Sequence, residues 1–417
     1  MSPIKKMPVR DIRRFVDVVG VAYPGFKINT PDDKKRITKY LKKVILPNGI
    51  VTMYGYYKGT KILGGMRTFD FTMTFGNVKI ANGGLGLVAV DLAHKKEKIA
   101  KEMVEYYIRH YRERDVALTS LYPFRPDFYK KMGYGYGTAL NQYFFRPSDF
   151  PRGDSKKHIA YLTAKDFPAI RACYNRYADR THGMYRREMH EKGRFERTGL
   201  KIVGCKKGRK VEGYLAFSFE LSERFNFLKQ DMRIEEFVWE NRDAFGELAT
   251  FINTQADQVR RVQYGTQDGQ LYHMLFDPRD GNDELLAPLG HRVGLRGVGL
   301  MYRVVDVPNL FRKLKDYNFN DADLRLKIEI ADSFLPENAG SYVVHFDRGR
   351  ASVKKRTAAT DVTIAMDIAD FSSLVTGAID FRRLYDYRLA EISKTKYVAA
   401  VNRLFRCGRK PLCLTQF

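Results

Sequence analysis

Residues 86–103, with the tyrosine-rich segment beyond them, constrain the fold of this chain more than any other stretch. An apolar run, Gly86-Leu-Val-Ala-Val-Asp91, passes through the basic turn His94-Lys95-Lys96-Glu97-Lys98 into Ile99, Ala100 and an amphipathic pattern reaching Met103. Farther on comes Phe128-Tyr129-Lys-Lys-Met-Gly-Tyr134. A strand that enters a helix through such a turn leaves backbone N–H groups without intrahelical partners at the helix start. With lysines around them, those groups form an anion site suited to a pyrophosphate.

The chain has 417 residues, 44% hydrophobic and 13% aromatic, which is more than one core serves and implies packed domains rather than disorder. Its formal charge of +25 is spread along the sequence instead of gathered in a tail. No nucleic-acid-binding motif accompanies that charge, so it reads as a solvated basic surface, and neither nucleic acid nor a membrane is expected as partner. Cys173, Cys205, Cys407 and Cys413 show no CxxC pair and no disulfide density. A reducing cytoplasm and no metal site are therefore expected. The N-terminus lacks an apolar signal core, and no run approaches the ~20 apolar residues that span a bilayer.

Punctuation and hydrophobic period divide the chain into three blocks, at 1–148, 149–298 and 299–417. In the first, Ile12, Phe15, Val16 and Val19 share a helical face that stops at Tyr23-Pro-Gly25. Extended pieces are expected over 50–57, 61–71 and 78–90, with a turn at Asn82-Gly-Gly84. A helix over 93–112 and a strand over 116–122 complete an α/β order. Arg146-Pro-Ser-Asp-Phe-Pro-Arg-Gly153 marks the first boundary.

The second block repeats the pattern. A helix carries Phe167, Ile170, Cys173, Tyr174 and Tyr177 on one face, strands follow near 201–203, 213–219 and 234–239, and a helix is expected over 243–261. The repetition suggests a duplicated fold. At the strand-to-helix turn, however, this copy carries Glu240-Asn-Arg-Asp243, whose carboxylates suit a helix N-terminus but repel a pyrophosphate. In the third block Leu324, Leu326, Ile328 and Ile330 alternate with polar residues, Pro336-Glu-Asn-Ala-Gly340 turns the chain, and residues 362–368 alternate again before a helix.

The first block resembles the acyl-coenzyme A site of GNAT acetyltransferases, the second resembles a GNAT fold without the basic loop, and the third resembles a sterol carrier protein fold. In this order the three resemble the Eis family of N-acetyltransferases. The matching marks are Val88-Ala89-Val90, the Lys95-Lys96 turn, Tyr129 in Phe-Tyr-x-x-x-Gly-Tyr, Arg303-Val-Val-Asp-Val-Pro308, and a chain ending in an aromatic residue, Phe417. The fold class implied is α/β (α+β): tandem GNAT folds, each a mixed sheet with flanking helices, then a sterol carrier protein-like domain.

The resemblance implies acetyl-coenzyme A as cofactor, a small primary amine as acceptor (an aminoglycoside, a polyamine-like compound or a lysine side chain), and a homohexamer. It places the pantetheine arm along Val88, Ala89 and Val90, though Val-x-Val suits a core strand equally well. The family's phosphate loop is Arg or Gln, two residues, Gly, one residue, then Gly or Ala. Here it falls on Lys95, Lys96, Glu97, Lys98, Ile99 and Ala100, so the final small residue is kept and the central glycine is replaced by Lys98. Tyr129 takes the role of general acid toward the departing thiolate, against an unperturbed phenol near 10 and a thiol near ~8.5. Phe417 offers its terminal carboxylate as proton acceptor, the other reading being an apolar tail that only covers a groove. Tyr23 and Phe26 are assigned to the acceptor pocket, with a core role as the alternative. The rival function is a non-catalytic acyl-coenzyme A or lipid binding protein with a degenerate site.

Overall fold

Long apolar strands with few interrupting charges drive the first part of the chain into a sheet covered by helices. The computed structural model describes residues 2–45, 49–187, 193, 198–222, 226–282 and 284–417. Two compact units result. One comprises Met1–Gly137, Leu300–Pro411 and Thr415–Phe417, the other Thr138–Gly299 with Leu412–Leu414.

In the first unit, β1 (Ile4–Lys6), β2 (Val51–Lys58), β3 (Lys61–Phe75), β4 (Val78–Val90) and β5 (Leu118–Leu121) lie side by side, followed by Met301–Val304 and then β6 (Gly135–Tyr136). Only β4 and β5 run parallel. The helices are α1 (Ile12–Ala22), α2 (Pro31–Ile45), α3 (Ile99–Glu113) and the short α4 (Pro126–Lys130). Between β4 and β5 the crossover is α3, whose Ile99, Met103, Val104, Tyr107, Ile108 and Tyr111 form one buried stripe.

Two expectations in this region are corrected. Asn82-Gly-Gly84 is no turn but the middle of β4. A Cβ on Gly83 would stand 2.7 Å from the Tyr111 ring and one on Gly84 2.5 Å from Phe71, so these glycines admit aromatic rings onto the strand. Tyr107 Oη donates to Gly83 O (2.7 Å) and Tyr111 Oη to Phe69 O (2.9 Å), which pins α3 to the sheet. The helix expected from 93 begins at Ile99; Leu92–His94 form a separate single turn, capped where Asp91 accepts from the Ala93 amide at 3.0 Å.

The same unit contains a second sheet, ordered Arg350–Lys354, Gly340–Asp347, Leu324–Ala331, Val362–Asp367 and Ala390–Ile392. Every residue of helix Ile368–Val375 is buried, and Ser372 Oγ accepts from the Val304 amide at 2.9 Å. Met301–Val304 pairs antiparallel with β5 on one side and β6 on the other. From it Arg303, fully buried, reaches the equally buried Asp332 through Nη2 at 2.9 and 2.7 Å, while Nη1 donates to Met132 O at 2.5 Å. Asp332 also accepts from the Leu335 amide and from Asn338 Nδ2.

The second unit repeats the first topology. Its sheet runs Gly294–Gly297, Leu140–Phe145, Val259–Thr266, Gln230–Trp239, Lys210–Leu221, Lys201–Lys207 and Ile159–Tyr161. Again one pair is parallel, here flanking helix Arg242–Asn253. The helix expected to reach 261 stops at Asn253, because Val262, Tyr264 and Thr266 bury one face at strand spacing. Among the described residues, no helix is long and apolar enough to cross a membrane.

Breaking a buried, fully hydrogen-bonded ion pair from one side strands the other charge. Arg303→Met is expected to lower the local opening free energy of Met301–Val304 by about 3–5 kcal/mol, read as faster amide hydrogen exchange there and in β5. Unaltered protection would show that the strand is held by something else.

Candidate active site

Where β4 leaves its neighbour, the first sheet opens. Parallel pairing with β5 covers only Asn82 to Leu85, whereas β4 continues to Val90 against β3 alone. A register shift between Gly65 and Arg67, opposite Ala89 and Gly86, bulges β4 at Leu87 and Val88, and Leu87 takes φ 51°. A bulge bends and twists its strand, which turns this end of β4 away from β5. Val88, Ala89 and Val90 therefore present an edge that an extended arm can pair with like an added strand. Val88 and Val90, both half-buried, pack against the core cluster that holds Ile99, Met103 and Tyr129. Tyr23 Oη donates to Val88 O at 2.5 Å, occupying one of that carbonyl's two acceptor positions.

The basic turn follows directly. Lys95, Lys96 and Lys98 are exposed, Ile99 is buried and Ala100 half-buried. Lys96 and Lys98 both adopt left-handed backbone, φ 66° and 64°. At Lys98, the position where the resembling loop carries glycine, the conformation is thus kept at a cost of roughly 1–2 kcal/mol to a residue with a Cβ. Left-handed residues among extended and helical ones turn successive N–H groups into a concavity that accepts anions. Glu97 does not oppose this directly: its Oε1 lies 3.0 Å from His94 Nδ1, and His94 Nε2 lies 3.4 Å from Lys61 Nζ.

Tyr129 stands in α4, 6% exposed, with its ring edge-on to Phe128 (5.2 Å) and Tyr134 (5.9 Å). Among the described residues its hydroxyl makes no hydrogen bond. Burial first, then the neighbouring Tyr23 and Tyr134 phenols, push its pKa well up from the ordinary value. The environment thus opposes the lowering that would make donation downhill, and keeps the proton on the oxygen. Gly133 fixes the turn after it: at φ 77°, a Cβ there would fall 1.4 Å from Arg303 Nη1.

Phe417 docks. Its ring packs edge-on against Phe69 (5.3 Å), Phe71 (5.0 Å) and Tyr122 (5.4 Å), and Tyr122 Oη donates to Thr415 O at 3.3 Å. A Cβ on Gly86 would lie 2.9 Å from the Phe417 carbonyl carbon and 3.2 Å from its oxygen. The terminal carboxyl therefore rests on Gly86, at the start of the unpaired stretch of β4. Tyr23, half-buried, sits edge-on to Phe26 (5.7 Å) and Phe124 (5.5 Å), while Phe26 itself is exposed.

Sequence reasoning missed Arg67, Gly84 and Gly86. Arg67 is a single cation in the apolar run of β3, and that interruption was the available signal. The glycines become meaningful only when Phe417 is laid over them. In the second unit the equivalent turn is filled by its own side chains: Asn241 caps its helix by accepting from the Ala244 amide (2.8 Å), and Arg176 Nε donates to Glu240 (2.8 Å). That unit also brings His158, Cys205 and Glu247 within 4.8 Å of one another, a grouping that cysteine spacing cannot reveal. There Glu247 takes the His158 amide (2.9 Å) and lies 2.6 Å from its ring, and burial pushes the Cys205 thiol up to about 11.

Residues 3–137 match an Acetyltransferase (GNAT) domain, residues 177–303 a second Acetyltransferase (GNAT) domain, and residues 311–414 a Sterol carrier protein domain. Among solved structures, the chain is similar to a GCN5-related N-acetyltransferase from Anabaena variabilis (TM-score 0.80, 18% identity). It is also similar to Eis1 from Mycobacterium abscessus (TM-score 0.77, 20% identity). Each comparison covers 99% of both chains. No curated protein matches the sequence. The chain thus carries two GNAT acetyltransferase domains followed by a sterol carrier protein domain, the order expected above, and these domains support an acyltransferase.

Gly86→Ala forces its Cβ into the terminal carboxyl. The tail is then expected to undock, so that carboxypeptidase releases Phe417 faster than from the wild type while the circular dichroism spectrum is unchanged; equal release rates would contradict the contact.

Proposed function

We propose that the chain is an N-acetyltransferase that moves acetyl from acetyl-coenzyme A to a primary amine by direct attack, at the open end of β4 in the first unit. The observation that carries this reading is the seat of the Phe417 carboxyl on Gly86, at the head of a strand edge that leads to a left-handed, lysine-rich turn. The residues present fit the cofactor: the edge from Val88 to Val90 suits the pantetheine amides, while the amides of the first α3 turn with Lys95, Lys96 and Lys98 suit the pyrophosphate. When bound, acetyl-coenzyme A supplies a thioester carbonyl and a thiolate leaving group.

Tyr129 Oη holds its proton to well above neutral pH because burial disfavours the phenolate. A phenol weaker than a thiol of about 8.5 transfers its proton to the thiolate uphill, so Tyr129 acts chiefly as a protonated donor that hydrogen-bonds the sulfur as negative charge builds on it. At the other side, the Phe417 carboxylate accepts the proton shed by the attacking amine, directly or through water. An ordinary terminal carboxylate near ~3.5 is a weak base. Packing of the Phe417 ring on Phe69, Phe71 and Tyr122 fixes where that carboxylate stands, so a water beside it can relay the proton. Aminoglycosides, polyamine-like compounds and lysine side chains are the acceptor classes that the resemblance implies.

The second reading, a non-catalytic acyl-coenzyme A or lipid binding protein, is favoured by the lysine at position 98. Thiol release from acetyl-coenzyme A over a panel of amines separates the two: release above the amine-free rate supports transfer, and its absence with every amine supports binding alone. Tyr129→Phe is expected to lower kcat by roughly 10²-fold or more with coenzyme A affinity retained; full turnover in that variant removes Tyr129 from the chemistry. One alanine appended after Phe417 moves the carboxylate yet keeps the ring contacts. It is expected to cut kcat by about 10²-fold, and undiminished turnover would reject the terminal carboxylate as base.

A further inference from the structure

One guanidinium enters the apolar face that seats the chain terminus. Strand alternation places Arg67, Phe69 and Phe71 on the same side of β3. Opposite them on β4, Gly86 pairs with Arg67 and Gly84 with Phe69. Because Phe417 stacks on Phe69 and Phe71 with its carboxyl over Gly86, Arg67 is the next residue along this face, at the open end of β4. Its guanidinium lies over the Phe69 ring, 4.7 Å from the centroid.

Arg67 Nε is buried and, among the described residues, has no hydrogen-bond partner. Among the described residues no carboxylate forms an ion pair with it, and its polar neighbour is the Tyr40 phenol on α2. Burial pushes the guanidinium down from its ordinary value, so the protein bears a cost for holding this charge here. A buried guanidinium donor left without an acceptor is costly, and the planar fork of an arginine is matched by a carboxylate or a phosphate.

Resting on the acetyl-transfer reading above, we propose that Arg67 binds an oxyanion of the acceptor, and that the acceptor is therefore a primary amine that also bears a carboxylate or phosphate, rather than a polycation. In this arrangement the amine faces the Phe417 carboxylate and the oxyanion faces Arg67, so that each end of a zwitterion meets its opposite charge. A polycationic acceptor instead brings ammonium groups against a guanidinium in a medium that screens poorly.

The test uses full-length protein and matched pairs of amines: γ-aminobutyrate against propylamine, and 2-aminoethyl phosphate against ethanolamine, with thiol release from acetyl-coenzyme A as readout. The oxyanion-bearing member of at least one pair is expected to show kcat/KM at least about tenfold higher, and which pair discriminates distinguishes carboxylate from phosphate. Arg67→Gln is expected to bring that ratio toward one, and Arg67→Lys to keep part of it. Equal kcat/KM within both pairs, or a ratio that Arg67→Gln leaves intact, overturns the proposal. Should no amine be acetylated, calorimetry with γ-aminobutyrate and 2-aminoethyl phosphate still decides. Binding to the wild type that is lost in Arg67→Gln upholds the oxyanion subsite and rejects the transfer reading. No binding to the wild type rejects the subsite itself.

Discussion

The insertion of Met301–Val304 between β5 and β6 is the constraint on which the first unit rests. A sheet built only from residues 1–137 would leave those two edges with unpaired N–H and C=O groups. The strand that fills the gap is drawn from a segment distant in sequence, and Arg303 locks it there. Its guanidinium is satisfied by Asp332 on one side and by Met132 O on the other. Met132 lies in the turn that follows Tyr129, so the same buried cation that ties in the sterol carrier protein domain also sets the loop behind the candidate acid. Such a pair adds little net stability over an apolar substitute, yet it tolerates no alternative register, because a slip would leave two buried charges unpaired.

From this fixed frame the site follows by subtraction. The sheet is continuous until Leu85, then the bulge at Leu87 and Val88 ends the pairing with β5 and exposes backbone groups. Gly83 and Gly84 thin the strand so that Tyr111 and Phe71 can lie on it, and Gly86 leaves room for the end of the chain. The glycines read at first as a turn because turns and close approaches demand the same residue for different reasons. One needs a positive φ and the other needs the absence of a Cβ.

Much of the architecture was legible because it depends on period and order. The stripe on α3, the alternation from Leu324 to Ile330 and the repeat of strand, turn and helix in the two halves all lie within local windows. The errors fell where local pattern and tertiary demand diverge. Lys-rich sequence after Asp91 looks helical throughout, but two left-handed residues hold the helix back to Ile99. Polar sequence after Asn253 looks like continued helix, but Val262, Tyr264 and Thr266 have a sheet face to cover. Of the candidate site, the strand edge, the lysine turn, Tyr129 and the docked tail were all readable by resemblance, whereas Arg67 was not, since a lone arginine in a strand gains meaning only from its neighbours.

By itself the sequence determined the domain order, the basic turn at the helix start, the position of Tyr129 and the apolar character of the final residues. All of these are properties of neighbouring residues along the chain. Only the tertiary structure decided that Met301–Val304 belongs to the first sheet, that the Phe417 carboxyl rests on Gly86, and that Arg67 shares a face of β3 with the rings that seat Phe417. Those facts join residues hundreds of positions apart, and no local propensity encodes them: they are set by which buried charge, ring or carbonyl finds its complement once the sheet has closed.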